Sequence, residues 1–136
     1  MLTRRSFVTT AAALPAASLW AAKSKLKIGV TDWNLRLAGK TEAVALAARL
    51  GFQGVEVSLG RKPIDGKLPL DNAELQRQYL AEAKDRKIAL AGTCLDILHV
   101  NYLKNDKLAL KWIADGIPIT STLKAKVMLL PFFGKG

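Results

Sequence analysis

Thr41–Leu59 reads TEAVALAARLGFQGVEVSL, and this stretch decides the fold. Its first half, up to Leu50, predicts a helix with Thr41 as N-cap and Gly51 as the stop. Its second half, Gly54–Leu59, is β-rich and alternates. Val55, Val57 and Leu59 share one face of that strand, Glu56 and Ser58 the other. The neighbouring strands repeat the contrast. In Leu26–Thr31 (LKIGVT), Leu26, Ile28 and Val30 oppose Lys27, Gly29 and Thr31. In Ile88–Thr93 (IALAGT), Ile88 and Leu90 oppose Ala89, Ala91 and Thr93. One face is bulky and apolar, the other small or polar. An open sheet covered by helices on both sides should be apolar on both faces. A barrel has helices only outside, so its inner face can carry polar groups. The pattern favours the barrel over an open doubly wound sheet. Neither GxGxxG nor GxxxxGK[ST] follows the first strand, so the nucleotide-fold fingerprints are missing as well.

The remaining elements extend the same order. Arg61–Leu70 (RKPIDGKLPL) is a loop with two prolines and a glycine. Asn72–Lys87 predicts a helix opened by Asp71 or Asn72. A third helix is expected from Asn105 or Asp106 toward Lys124, with a kink or break at Gly116–Pro118, because an interior proline removes a hydrogen bond. Lys126–Pro131 (KVMLLP) predicts a fourth strand, and Phe132–Gly136 the start of a loop. The order βαβαβαβ argues for parallel strands with crossover helices. Strand starts at Leu26, Gly54, Ile88 and Lys126 give roughly 33 residues per unit. Eight such units need roughly 270 residues, close to the size of a (β/α)8 barrel. The fold expected for residues 23–136 is therefore α/β, the N-terminal half of a (β/α)8 TIM barrel.

Composition removes several function classes. Half of the 136 residues are hydrophobic, which excludes a solvating, disordered chain. No run of apolar residues is long enough to predict a membrane-spanning helix. The single cysteine, Cys94, excludes an internal disulfide framework and a cysteine zinc site; the single histidine, His99, excludes a site needing two imidazoles. The net charge is +10. Nucleic acid is the usual partner inferred from such a balance. The basic residues are scattered, however, and the one local group, Lys84, Arg86 and Lys87, ends a predicted helix, where it complements the helix dipole. A solvated basic surface is the reading, with no nucleic-acid partner expected.

Residues 1–22 predict an address rather than a fold. Arg4 and Arg5 precede a mildly apolar stretch from Phe7 to Trp20, and small residues such as Ala21 and Ala22 close it. Thr3-Arg4-Arg5-Ser6-Phe7 resembles the bacterial twin-arginine signal. The expected destination is the periplasm or the exterior, with no membrane span once the signal is removed.

In a barrel, chemistry sits at the carboxyl ends of the strands. Those positions hold Asp32, Trp33, Asn34 and Arg36 after the first strand, and Ser58, Arg61 and Lys62 after the second. Cys94, Asp96, His99 and Asn101 follow the third, and Phe132, Phe133 and Lys135 the fourth. Glu56 faces the barrel interior, where a lone carboxylate is costly. It is either a general acid/base or substrate contact, or a carboxylate salt-bridged to a neighbouring strand, with Lys27 on the same face as a candidate. His99 lies in a loop and offers an imidazole, the side chain suited to acid/base work or metal binding; a surface histidine is the other reading. Trp33 either stacks on a sugar ring or packs the rim. Cys94 has no activating base beside it in sequence, and a buried, inert thiol is expected.

LKIGVTDWNLR, LAARLGFQGVEVSLG, LPLDN, IALAGTCLD and LHVNYLKND together resemble an exported branch of the sugar phosphate isomerase/epimerase family, the xylose isomerase-like TIM barrels. The run from Gly51 to Val57 is the most specific marker. The resemblance covers about residues 25–136 and half of the family domain. It implies a divalent metal held by Glu, Asp and His near the barrel mouth, and proton transfer next to the carbonyl of a sugar or sugar phosphate. Glu56 and His99 would be catalytic, Trp33 and Asn101 would bind substrate. No metal ligand carries over, because the family's ligands come mainly from later strands. Two alternatives share the frame: an endonuclease IV-like phosphodiesterase, and a non-catalytic exported sugar-binding protein. Export and scattered charge speak against the first. Four strands cannot close an eight-stranded barrel, so these residues alone are expected to self-associate, to be inactive, and to hold no divalent metal tightly.

Overall fold

The computed structural model describes residues 26–132. The expected signal at 1–22, and Phe133 and Lys135, lie outside the described residues. Strands β1 (Gly29–Thr31), β2 (Gly54–Ser58), β3 (Ala89–Cys94) and β4 (Met128–Leu129) alternate with helices α1 (Glu42–Arg49), α2 (Ala73–Arg86) and α3 (Ala109–Thr122). A short 3-10 turn, Asp96–His99, follows β3. The strands form one sheet in the order β1-β2-β3-β4, and all three pairings are parallel. A sheet in which each crossover returns to the next neighbour stacks its helices on one side. This α/β arrangement, four parallel strands alternating with helices, is that of half a (β/α)8 barrel.

The helix side of the sheet carries the core. Val55, Val57 and Leu59 are fully buried there. They belong to one cluster with Val44 and Ala47 of α1, Tyr79 and Ala83 of α2, and Trp112, Ile119 and Leu123 of α3. Asn72 caps α2: its side chain accepts the Leu75 N–H at 3.0 Å, satisfying a donor the helix leaves unpaired. Thr41 sits at the N-cap of α1, but its hydroxyl makes no capping bond. Gly116 lets α3 approach the sheet closely. A Cβ there would lie 2.9 Å from the Met128 sulfur and 3.2 Å from Leu59 Cδ1.

Three expectations need correction. The helix α3 begins at Ala109, not near Asn105 or Asp106. Asp106 instead folds the turn before it, accepting the Leu108 N–H at 2.9 Å through its side chain. Pro118 lies inside α3 without breaking it, so of the expected kink or break the break is not realised. Pro118 and Ala114, four residues back, are both exposed, so the carbonyl that loses its partner lies on the wet side. The buried face with Trp112 and Ile119 offsets the roughly 3 kcal/mol that an interior proline costs.

The third correction concerns β3. Val55 pairs with Leu90, but Glu56 pairs with Gly92, so β3 spends one extra residue, Ala91, at a bulge. Beyond it the alternation is reset. Thr93 joins the helix side, where its hydroxyl meets that of Thr120 on α3 at 2.7 Å. Gly92 and Cys94 take the other face, opposite Glu56 and Ser58. That inner face is open in these residues, with Ala89 and Ala91 exposed.

Candidate functional site

The carboxyl ends of β1, β2 and β3 bring three acids together. Asp32 follows β1, and its N–H extends the ladder by donating to the Glu56 carbonyl at 3.0 Å. The chain then turns back, with Leu35 and Leu37 donating their N–H groups to the Asp32 carbonyl at 3.1 and 3.0 Å. Its carboxylate is fully buried. Oδ2 accepts the N–H groups of Ser58 and Gly39, both at 2.9 Å. Oδ1 is buried and has no hydrogen-bond partner among the described residues. Burial pushes the Asp32 carboxyl up to about 6, against the backbone hydrogen bonds from Ser58, Gly39 and Trp33, and the charge of Asp96 adds to the rise.

Ser58 joins the first acid to the third. Its N–H serves Asp32, and its hydroxyl donates to Asp96 Oδ2. Asp96 is itself buried. Glu56, half-buried on the inner face, has its carboxyl raised first by burial, then by the charges of Asp32 and Asp96. No ion pair joins it to Lys27, so that alternative for Glu56 is not realised; the ion pairs among the described residues that involve Arg77, Arg86 and Lys111 lie on helix surfaces. Gly92 faces Glu56 across the ladder, and even a Cβ there would stay 3.7 Å from Glu56 Cγ.

The end of β3 adds a thiol, and the 3-10 turn an imidazole. Side chains three residues apart eclipse in a 3-10 turn, so Asp96 and His99 fall on one side of it. Cys94 ends β3 on the inner face. One donor atom from each of Cys94, Asp96 and His99 lies within 4.8 Å of the others. Cys94 is almost fully buried, and its thiol is pushed up, first by burial, then by Asp96 and Glu56.

A hollow of about 310 Å³ opens beside this cluster, lined by Trp33, Ala38, Ser58, Arg61, Asp96 and His99. Gly60 shapes the loop that carries Arg61. It has φ +108, and a Cβ there would lie 2.3 Å from Pro69 Cγ. Of the residues expected from sequence, Trp33 and His99 share the hollow. Glu56 stands beside it, coupled to Asp96. Asn101 is not among the lining residues, and its side chain hydrogen-bonds Asp106. Two larger hollows lie along α1, α2 and α3, and neither holds an acid–thiol–imidazole cluster.

Sequence reasoning placed Asp32, Ser58, Cys94 and Asp96 at strand ends but did not select them. The spacing Cys94-x-Asp96-x-x-His99 was the available signal. Its meaning depends on the 3-10 turn. The sulfur, oxygen and nitrogen donors suit a borderline divalent ion, and the buried carboxyl of Asp32 adds to a region that favours positive charge. No known family model matches the chain, and no curated protein matches it.

Proposed function

We propose that the protein acts on a small sugar or sugar phosphate as an isomerase or epimerase, moving a proton on the carbon next to a carbonyl. The observation that carries this is Glu56. It is a carboxylate held half-buried on the inner face, with no ion-pair partner among the described residues, beside a hollow that contains Trp33, Arg61 and His99. Its raised proton affinity brings it closer to the working range of a general base. Glu56 takes the proton from carbon and returns it. His99 acts on the oxygen side of the substrate. Trp33 offers a ring face to the sugar, and Arg61 a planar cation suited to a phosphate. When bound, a divalent ion held by Cys94, Asp96 and His99 supplies positive charge against the substrate oxygens.

The test is solvent exchange. The protein is incubated with divalent metal and a panel of aldoses, ketoses and their phosphates in deuterated water, and the sugars are read by NMR. Deuterium should enter at the carbon next to the carbonyl of at least one sugar, and Glu56→Gln should stop it. Absence of exchange across the panel would sink the reaction. Export belongs to the same proposal and rests on Thr3-Arg4-Arg5-Ser6-Phe7. Replacing Arg4 and Arg5 by Lys should hold the protein in the cytoplasm, and unchanged secretion would refute the twin-arginine route.

A further inference from the structure

We propose that Cys94, Asp96 and His99 form a zinc-class metal site with one thiolate, one carboxylate and one imidazole. The inference deepens the function proposed above by naming the ion at that site, and to that extent rests on it. It departs from three expectations: that a lone cysteine excludes a cysteine zinc site, that Cys94 is an inert thiol, and that these residues hold no metal tightly.

Three observations carry it. The first is convergence. The strand end places Cys94 opposite Ser58, and the 3-10 turn stacks Asp96 and His99, so three chemically different donors lie within 4.8 Å of one another. The second is support behind the donors. Ligating groups in metal sites are usually held by outer hydrogen bonds. Here the Ser58 hydroxyl donates to Asp96 Oδ2, and the Ser58 N–H is held in turn by Asp32. The third is the fully buried carboxylate of Asp32, which is joined to the cluster through Ser58. Glu56 lies close enough to feel both Asp32 and Asp96. A bound cation would offset this gathering of carboxylates.

The donor set selects the ion. Magnesium and calcium take oxygen ligands, whereas a thiolate with an imidazole suits zinc, cobalt and their neighbours. Three protein ligands leave one position of a tetrahedral ion for water or substrate, the pattern of catalytic rather than structural zinc. Binding breaks the Cys94 S–H bond and forms a sulfur–metal bond. The proton passes to the solvent, and no electron is transferred.

Cobalt(II) reports the site directly. The full chain is freed of metal, titrated with cobalt chloride and followed by absorption. One equivalent should bind with the visible bands of a tetrahedral ion and a thiolate-to-cobalt charge-transfer band in the near ultraviolet. Cys94 is the chain's one cysteine, so that band identifies its ligand without any substitution. Zinc should displace the cobalt, and excess magnesium should not. Ser58→Ala, checked for folding by circular dichroism, should weaken zinc binding about 10–100-fold. A cobalt complex without the charge-transfer band, or no stoichiometric binding, would overturn the site and mark the cluster as a hydrogen-bonded polar group. The outcomes separate the two proposals. The band without sugar exchange leaves the site and removes the reaction; exchange supported by magnesium, without the band, does the reverse.

Discussion

The two faces of one sheet differ sharply within single strands of the protein. On the helix side Val55, Val57 and Leu59 are fully buried against the three helices. One residue along, on the inner face, Glu56 is half-buried and has no ion-pair partner among the described residues, and Ala89 and Ala91 are exposed. The first face gains stability from apolar area removed from water. The second gains little. It holds Glu56, whose proton affinity is raised, an arrangement that costs stability and suits chemistry. Stability and function are thus separated by the two-residue period of the strand, and substitutions on opposite faces should fail in different ways.

The sharpest break of that comparison is a crossed pair. Glu56→Gln should lower the exchange rate by about 10²–10⁴-fold, the range for removing a general base, and leave the melting temperature nearly unchanged. Trp112→Ala, in the core on the other side, should cost about 3–5 kcal/mol in denaturant unfolding. An exchange rate untouched by Glu56→Gln, with a clear loss of stability, would make Glu56 a structural residue and undo the separation.

Asp32, buried at the end of β1, tests by pH what a carboxyl costs beside the core. Unfolded, its carboxyl titrates near 3.8; folded, near 6. Between these values the folded state binds more protons, so stability falls as pH rises. The contribution is fully present below 3.8, declines through the window, and is lost above about 6, a change of about 3 kcal/mol at 1.36 kcal/mol per unit. Asp32→Asn keeps an oxygen for the N–H groups of Ser58 and Gly39 and does not titrate. Its stability relative to the parent should therefore rise from pH 4 to pH 7 in urea unfolding. A difference that is flat with pH would mean that the Asp32 carboxyl carries no raised proton affinity.

How much of this was legible in the sequence depends on the range of the interactions involved. The helix Ala73–Arg86 and the strand Gly54–Ser58 were legible because each carries its own period and its own stops. Glu56 was legible for the same reason, since alternation alone puts it opposite Val55 and Val57. The start of α3 was not, because Asp106 makes a local turn that resembles a cap. The convergence of Cys94, Asp96 and His99 was not legible either. Read as loop, the six residues have no fixed spatial relation; wound as a strand end and a 3-10 turn, they do. The burial of Asp32 depends on Ser58 and Gly39, 26 and 7 residues away, and no local pattern reports it.

The bulge in β3 supplies the smallest and most discriminating test. Period-two counting puts Thr93 on the inner face; the extra residue Ala91 turns it to the helices. The direction of its hydrogen bond can be deduced. The Thr120 hydroxyl donates its one proton to the Gly116 carbonyl at 2.7 Å. Thr93 must therefore be the donor in the 2.7 Å contact between the two hydroxyls. The two deletions are then unequal. Thr93→Val removes a donor and leaves Thr120 still bonded to Gly116, so it should cost only about 0.5–1 kcal/mol. Thr120→Val strands a fully buried Thr93 donor and costs about 1–3 kcal/mol. The double variant removes both hydroxyls from an apolar layer and should cost less than the sum of the singles. Were Thr93 on the inner face, the two costs would be additive and Thr93→Val would disturb the exchange reaction instead. Urea unfolding of the three variants, with their exchange rates, decides which face Thr93 occupies.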